Sequence, residues 1–218
     1  MQHGQRLDRA NRPAEKLIQQ LRKNGVTDER VLAAIGQTPR HLFVDQALQY
    51  QAYDDVALPI SESQTISQPS VVARMTEQVV ARRSLKSVLE IGTGCGYQTM
   101  ILAKLFNRVC TMERIRGLSI AANHRLKELG MRNIEFQHGD GFTGWKERSP
   151  FDAIMITAAV SEPPRLLMDQ LAPDGILVLP IGDSNATQRL VAVRKVLGEQ
   201  VIEDLGAVKF VPLLRGQV

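Results

Sequence analysis

From residue 87 onward, short apolar segments alternate with segments of helical periodicity. S-V-L-E-I-G (87–92), R-V-C-T-M-E (108–113) and F-D-A-I-M-I-T-A (151–158) have the length and apolar character of buried strands, and helical patterns follow them. Strands that alternate with helices predict a mostly parallel sheet covered on both faces. The fold class expected is therefore α/β, with a Rossmann-like doubly wound sheet.

The remaining segments complete this pattern. We expect helices over 97–106, 118–130 and 163–171, and further strands over 133–140, 175–182, 188–196 and 209–213. The last strands follow one another without helices between them. This arrangement predicts an antiparallel C-terminal edge.

The chain before this region has a helical and irregular texture. Apolar spacing predicts a helix over 13–24 with Pro13 at its start, a second helix that Thr27 caps, and a third over 70–83. No sheet is expected before about residue 60. We divide the chain into an N-terminal helical segment with a covering loop (1–83) and a Rossmann-like domain (84–218).

Composition narrows the class of protein. The 218 residues carry a net charge of +4, and the basic residues are spread along the chain, as on ordinary solvated faces. No stretch has the length of a membrane span, the N-terminus lacks the apolar run of a secretory signal, and the two cysteines suit a reducing compartment. We expect a cytoplasmic monomer without membrane contact. The four histidines have no metal-binding spacing, so no metal site is expected.

The strand V-L-E-I is followed by G-T-G-C-G-Y and then by a helical pattern. Glycines at 92, 94 and 96 permit a tight turn and a close approach of the backbone to a ligand. The helix that follows presents free N–H groups at its N-terminus. In a doubly wound sheet this position binds nucleotide-like ligands, so Gly92, Gly94 and Gly96 are candidate cofactor-binding residues. The alternative is that these glycines serve only close packing of helix on sheet.

Acidic residues end the next two strands. Glu113 lies 23 residues after Glu90, which suits a carboxylate that accepts from ribose hydroxyls. Asp140, in H-G-D-G, ends the third strand, where together with Gly141 it would border the adenine. The alternative for Asp140 is an ordinary turn, which Asp and Gly both favour.

The details of the glycine loop favour S-adenosylmethionine over a dinucleotide. The dinucleotide fingerprint requires glycine at position 97, where this chain has Tyr97. Glu90 lies two residues before the first glycine, and a carboxylate there suits a cationic ligand better than a pyrophosphate. We expect Glu90 either to support the glycine loop or to bind the ammonium of the cofactor.

Two resemblances follow from these residues. E-I-G-T-G-C-G-Y resembles the first motif of class I S-adenosylmethionine-dependent methyltransferases. The segments P-R-H-L-F-V, A-Y-D-D-V-A-L-P-I, Q-T-I-S-Q-P and V-A-R-M-T-E, with F-D-A-I, L-A-P-D-G and F-V-P-L further on, are similar to the protein-L-isoaspartate O-methyltransferase family. The resemblance implies methyl transfer to the α-carboxylate of L-isoaspartyl and D-aspartyl residues in damaged proteins. The labile ester then returns through a succinimide to aspartate.

The same resemblance identifies Ser67 as the active-site serine, in a loop that closes over the cofactor through Thr65, Ile66 and Ser67. A carboxylate acceptor is already ionised at neutral pH, so the reaction requires alignment and exclusion of water rather than a strong base. Ser67 would orient the acceptor. The chain departs from the family at Ser63, where the family usually has glycine, and serine tolerates a positive φ poorly.

Two other classes of function were weighed. Amino-group DNA methyltransferases carry an aromatic residue after two prolines that follow the fourth strand, and this chain has S-E-P-P-R with Arg165 there. Neither cysteine follows a proline, as a cytosine-C5 enzyme requires, so no nucleic-acid partner is expected. A binding protein without turnover would hold the cofactor but methylate no isoaspartyl peptide.

Overall fold

A computed structural model describes residues 2–81, 85–183, 186–196 and 199–218. The helices are α1 (Gln2–Lys23), α2 (Glu29–Gly36), α3 (Pro69–Val80), α4 (Tyr97–Leu105), α5 (Arg116–Glu128) and α6 (Arg165–Met168). The strands are β1 (Leu58–Pro59), β2 (Thr65–Ile66), β3 (Ser87–Ile91), β4 (Arg108–Glu113), β5 (Ile134–His138), β6 (Phe151–Ile156), β7 (Leu171–Ile181), β8 (Gln188–Val196) and β9 (Glu199–Val208). Short 3₁₀ helices span Arg40–Phe43, Gln46–Gln51, Gly141–Thr143 and Lys146–Arg148.

Seven of these strands form one sheet in the order β5-β4-β3-β6-β7-β8-β9. The strands from β5 to β7 in this order are parallel to one another, and β8 and β9 are antiparallel to their neighbours. The predicted α/β class, the mostly parallel sheet and the antiparallel C-terminal edge are thereby confirmed. The chain moves outward from β3 to β5 and then returns to β6, so β3 and β6 flank the switch point. Ligands bind at the carboxyl ends of the strands at such a point.

The strands β3 and β6 are buried because the sheet is covered on both faces. One core cluster joins the sheet to α3, α4 and the N-terminal helices, through residues such as Leu21, Val79 and Ile101. A second core cluster, which includes Leu89 and Ile154, covers the other face of the sheet. The N-terminal segment therefore shares a core with the sheet. Residues 83 and 84, where the sequence analysis divides the chain, lie outside the described residues.

Three predictions about the N-terminal segment were wrong in detail. α1 extends well before Pro13, which lies inside the helix. Asp28, not Thr27, caps α2, and its side chain accepts from the backbone N–H groups of Arg30 and Val31. The segment also contains the hairpin β1–β2, which begins before residue 60. Its two-residue strands are too short to show the alternation that identifies a strand.

The C-terminal region differs from the prediction in two elements. The last strand is β9, whereas residues 209–213 contribute only a bridge between Pro212 and Ala159. Most of β9 is exposed because it pairs with β8 alone, so it lacks the apolar pattern of a buried strand. The helix expected over 163–171 shrinks to α6, since β7 already begins at Leu171.

Candidate functional site

A cavity of about 280 Å³ lies at the carboxyl ends of β3, β4 and β6. Most of its lining comes from three parts of the chain: the hairpin residues 63–67, the glycine loop with the ends of the strands, and the C-terminal residues 211–214. Residues of α3 and α4 also line it (Val72, Met75, Tyr97 and Gln98). Of the predicted site residues, it brings together Thr65, Ile66, Ser67, Gly92, Gly94, Glu113 and Gly141. Glu90, Gly96 and Asp140 do not line it.

Gly92 begins the loop after β3 with φ +95, a conformation that L side chains rarely adopt. A Cβ there would overlap the hydroxyl of Thr157. That hydroxyl lies at the end of β6 and donates to the Gly92 carbonyl at 2.7 Å. Glycine is therefore required at position 92 by the close approach of β6.

Gly96 does not line the cavity. It precedes α4 with φ +89, and a Cβ would lie 3.0 Å from Leu126 Cδ1 and 3.3 Å from Ala122 Cβ on α5. The absent side chain thus allows α5 to pack against the start of α4. The position of Gly96 fits the packing alternative, while Gly92 and Gly94 line the cavity.

Glu113 is buried at the end of β4 and lines the cavity. Its Oε2 accepts from the Gly94 N–H at 2.9 Å, and its Oε1 accepts from the Ile115 N–H at 3.0 Å. Each carboxylate oxygen can accept a further hydrogen bond. The carboxylate is held in place by the backbone and can still receive hydroxyl donors from a ligand.

Glu90 lies beneath the glycine loop, fully buried between β3, β4 and α4. Its Oε2 accepts from Thr99 Oγ1 at 2.5 Å and from Thr111 Oγ1 at 2.7 Å, and its Oε1 has no hydrogen-bond partner. Burial raises the pKa of Glu90 to about 8, against the opposing effect of the two threonine hydroxyls. The hydroxyl of Thr111 also bonds that of Thr93, which lines the cavity. Of the two roles considered for Glu90, its position matches support of the loop.

Asp140 joins two segments near the cavity. Its Oδ1 accepts from the Phe142 N–H at 2.9 Å, which caps a 3₁₀ helix, and its Oδ2 accepts from the Gly216 N–H at 2.8 Å. Asp140 thereby ties the C-terminal segment to the end of β5. The neighbouring Gly141 lines the cavity, and a Cβ there would overlap the Ile91 side chain.

The hairpin β1–β2 forms another wall of the cavity, through residues 63–67. Its turn has positive φ at both central residues, +58 at Glu62 and +54 at Ser63, and the Gln64 N–H donates to the Ser61 carbonyl at 3.2 Å. Two positive φ angles are typical of the type I′ turn, which matches the twist of a hairpin. Ser63 therefore adopts the conformation for which glycine is better suited.

Several cavity residues were not identified from the sequence. They are Met112 in β4, Ile115 between β4 and α5, Thr157 after β6, Gln98 of α4 and the C-terminal residues Val211, Pro212, Leu213 and Leu214. Their positions after strands of a parallel sheet were a usable signal for Ile115 and Thr157. The C-terminal residues reach the cavity through a bridge from Pro212 to Ala159, which no local pattern indicates.

The segment that was compared with DNA methyltransferases, S-E-P-P-R, lies away from the cavity. Glu162 and Arg165 of S-E-P-P-R do not line the cavity, and Arg165 is exposed. Within the described ranges no cluster of three potential metal ligands occurs. In those same ranges, no helix combines the length and apolar character needed to cross a membrane.

The doubly wound sheet, the glycine loop at its switch point and a carboxylate after the next strand, without the dinucleotide fingerprint, define a class I S-adenosylmethionine-dependent methyltransferase. The sequence model described as protein-L-isoaspartate(D-aspartate) O-methyltransferase (PCMT) matches residues 11–218. The chain belongs to this family. It is thus an enzyme that transfers the methyl group of S-adenosylmethionine to isoaspartyl residues of proteins.

Bacterial relatives extend over almost the whole chain. It is 50% identical over 208 residues to the protein-L-isoaspartate O-methyltransferase of Pectobacterium carotovorum, covering 95% of this chain and 99% of the relative. It is 51% identical over 208 residues to that of Serratia proteamaculans, with the same shares of 95% and 99%.

Two solved structures have the same fold. One protein-L-isoaspartate O-methyltransferase superposes with a TM-score of 0.81 at 30% identity, and the match covers 91% of this chain and 65% of the other. The second is a putative protein-L-isoaspartate O-methyltransferase of Plasmodium falciparum in complex with S-adenosyl-L-homocysteine. Its TM-score is 0.79 at 27% identity, over 91% of this chain and 97% of the other.

Proposed function

We propose that Ser67 orients the free α-carboxylate of an isoaspartyl residue toward the methyl group of S-adenosylmethionine in this cavity. The observation that carries the proposal is that Ser67 and the glycine loop line the same cavity. The Ser67 hydroxyl can donate to one carboxylate oxygen and leave the other free to attack.

The cofactor roles follow from the positions of the lining residues. Gly92 and Gly94 provide the close backbone approach, and Glu113 accepts from the ribose hydroxyls. Ile115 and Gly141 border the adenine. Thr65 and Ile66 cover the cofactor from the hairpin side. Glu90, Gly96 and Asp140 act without contacting the cofactor. Glu90 supports the glycine loop, Gly96 allows α5 to pack against α4, and Asp140 holds the C-terminal segment.

The chemistry suits a site without a strong base. Neither histidine nor lysine occurs among the residues that line the cavity in the described part of the chain. A carboxylate is ionised at neutral pH and needs no deprotonation. The carboxylate oxygen forms a bond to the methyl carbon while the carbon–sulfur bond breaks, and the negative and positive charges cancel. Alignment and exclusion of water by the two walls are then the main contributions of the protein.

The methyl ester leaves the enzyme as a reactive product. The backbone nitrogen of the following residue attacks the ester carbonyl, the nitrogen–carbon bond forms, and methanol departs to leave a succinimide. Water opens the ring to aspartate or isoaspartate. The protein has no part in this step, so the cavity needs no group that stabilises it.

The partners are isoaspartyl-containing proteins and peptides. Recognition through the backbone of an extended segment suits damage sites that vary in sequence. A monomeric, cytoplasmic enzyme without a nucleic-acid partner remains the expectation from composition and charge.

The test uses labelled S-adenosylmethionine and two peptides identical except for one residue, isoaspartate in one and aspartate in the other. Base-labile label on the isoaspartyl peptide alone is the expected result. Label on both peptides, or on neither while the cofactor still binds, would contradict the assigned acceptor.

The same assay tests Ser67. Ser67→Ala should lower kcat by roughly tenfold or more, since one charge-assisted hydrogen bond is worth about 1.5–3 kcal/mol. The Kd of S-adenosyl-L-homocysteine, measured by calorimetry, should change much less. An equal loss of cofactor affinity would move Ser67 to a cofactor role.

A further inference from the structure

Arg40 is a fully buried arginine in the 3₁₀ helix Arg40–Phe43. No carboxylate forms an ion pair with it among the residues that the structure describes. Its Nε and Nη1 have no hydrogen-bond partner. Burial lowers the pKa of Arg40 from its ordinary value, although an arginine remains charged in proteins. The Asp55 carboxylate is near enough to favour the charged form of Arg40 but forms no ion pair with it. Burial of a cation that is not directly paired is destabilising, so its other contacts are of interest.

The one hydrogen-bonding nitrogen of Arg40 holds both ends of the hairpin β1–β2. Its Nη2 donates to the Ser67 carbonyl at 2.9 Å and to the Val56 carbonyl at 3.3 Å. Val56 precedes β1 and Ser67 directly follows β2. The guanidinium therefore clamps the base of the hairpin, at the residue that lines the cavity.

The same guanidinium also rests on the start of α4. Its Cζ lies 4.7 Å from the centroid of the Tyr97 ring, a cation–π geometry. Tyr97 lines the cavity and is the first residue of α4 after the glycine loop. The edge of Phe43, in the same 3₁₀ helix as Arg40, contacts the Tyr97 ring with centroids 5.5 Å apart. One side chain thus connects the two walls of the cavity.

We propose that Arg40 is a positioning residue that sets the distance between Ser67 and the glycine loop. The inference rests on the proposed role of Ser67. Arg40 does not line the cavity, so its guanidinium does not pair with the acceptor carboxylate and does not lower its nucleophilicity. It acts through the Ser67 backbone, which fixes where the serine hydroxyl points.

The first experiment compares Arg40→Met and Arg40→Lys with a matched control, Arg74→Met. Arg74 also donates to two backbone carbonyls, those of Leu205 and Ala207, but it does not line the cavity. Arg40→Met should lower kcat for the isoaspartyl peptide roughly tenfold, and by no more than Ser67→Ala does, with the Kd of S-adenosyl-L-homocysteine changed less than fivefold. Arg40→Lys should recover about threefold in kcat and stay below the parent, since an ammonium can still donate to a carbonyl but does not reproduce the planar guanidinium that also rests on the Tyr97 ring. Arg74→Met should stay within twofold of the parent in kcat.

The second experiment asks whether Arg40 acts through Ser67, and it combines each Arg40 variant with Ser67→Ala. If Arg40 positions the serine, its substitution should cost less than threefold in kcat once the hydroxyl is gone. Costs that multiply in the double variant would overturn the proposal, as would an Arg40→Lys enzyme with the kcat of the parent. The Arg40→Lys series decides the outcome if Arg40→Met does not fold, as melting curves would show.

Two results would contradict the assignments on which the role of Arg40 rests, namely the isoaspartyl acceptor and the role of Ser67. A parent enzyme that does not label the isoaspartyl peptide contradicts the proposed acceptor. A Ser67→Ala enzyme with unchanged kcat contradicts the role of the serine and, with it, the role of Arg40.

Discussion

At the scale of single residues, the acidic side chains near the glycine loop divide into two kinds. Glu113 has its carboxylate in the cavity, where ligand hydroxyls can reach it. Glu90 is two residues before the first glycine, yet its side chain points into the layer between strand and helix, where two threonines bind it. Both acidic residues lie close to the glycine motif in sequence. What each side chain contacts depends on which side of the strand it points to.

Glu113→Ala should raise the Kd of S-adenosyl-L-homocysteine by roughly tenfold or more, about 1.4 kcal/mol. The substitution removes the acceptor for ribose hydroxyls and also frees the Gly94 N–H from its partner. Isothermal titration calorimetry measures the change. Unchanged binding would refute a ribose contact by Glu113.

The pH dependence of stability provides a test for Glu90. The folded-state pKa of about 8 lies above the ordinary value of 4.5, so the folded protein retains a proton that the unfolded chain releases. Stability should therefore fall as the pH rises from about 4.5 through 8. Glu90→Gln removes this loss.

The free energy of unfolding of Glu90→Gln, relative to the parent, should increase between pH 5 and pH 8 by a few kcal/mol at most, at about 1.4 kcal/mol per pKa unit. Urea denaturation at several pH values measures it. A difference that does not vary with pH would mean that Glu90 is ionised in the folded protein at pH 5.

At the scale of elements, the turn of the hairpin β1–β2 carries backbone strain. Glu62 and Ser63 both have positive φ, and neither is glycine. A non-glycine residue in this conformation costs about 1–3 kcal/mol, and surrounding contacts must hold it there. The two strands are only two residues long, so their pairing contributes little. The clamp at Val56 and Ser67 by Arg40 supplies a contact of that kind.

Ser63→Gly should stabilise the protein by roughly 0.5–1 kcal/mol, because glycine adopts a positive φ without steric strain, although it has more freedom in the unfolded chain. Ser61→Gly is the matched control, since Ser61 belongs to the same turn and does not have positive φ. It should be neutral or destabilising. Urea denaturation of both variants measures the effect, and a destabilised Ser63→Gly would show that the serine side chain is needed in the turn.

At the scale of the whole molecule, the cavity is enclosed by parts of the chain that are far apart in sequence. The hairpin, the ends of the parallel strands and residues 211–214 all line it. The C-terminal wall is attached by several hydrogen bonds, including Leu213 N–H to Ala159 O at 2.8 Å and Gly216 N–H to Asp140 Oδ2 at 2.8 Å. A ligand that contacts all three walls should stabilise the fold as a unit.

S-adenosyl-L-homocysteine at 100 times its Kd should raise the Tm by roughly 5–10 °C, from about 2.7 kcal/mol of binding linkage and 2–4 °C per kcal/mol for a chain of this size. Differential scanning calorimetry measures the shift. Two separate transitions, of which only one responds to the ligand, would show that the walls unfold independently.

The sequence alone determined the features that depend on short-range pattern. The alternation of strands and helices after residue 87 specified a parallel sheet, because each element is long and periodic enough to be recognised locally. The strand–glycine loop–helix unit and Glu113 predicted a cofactor site at residues that line one cavity, and the Ser67 segment carried the family resemblance. The strands over 108–113 and 188–196 have the boundaries that the pattern predicted.

Only the tertiary structure decided the features that depend on contacts between distant segments. The separate roles of Glu90, Gly96 and Asp140 follow from which neighbours reach them: two threonines, α5 and Gly216. The segment P-R-H-L-F-V resembles the family, but its pattern does not show that Arg40 is buried, because arginine is a residue type that is normally exposed. Here the hairpin and α4 close over it. The proposed role of Arg40 rests on its burial and on its contacts with Val56, Ser67 and Tyr97, which are distant in sequence. No local sequence pattern predicts such contacts.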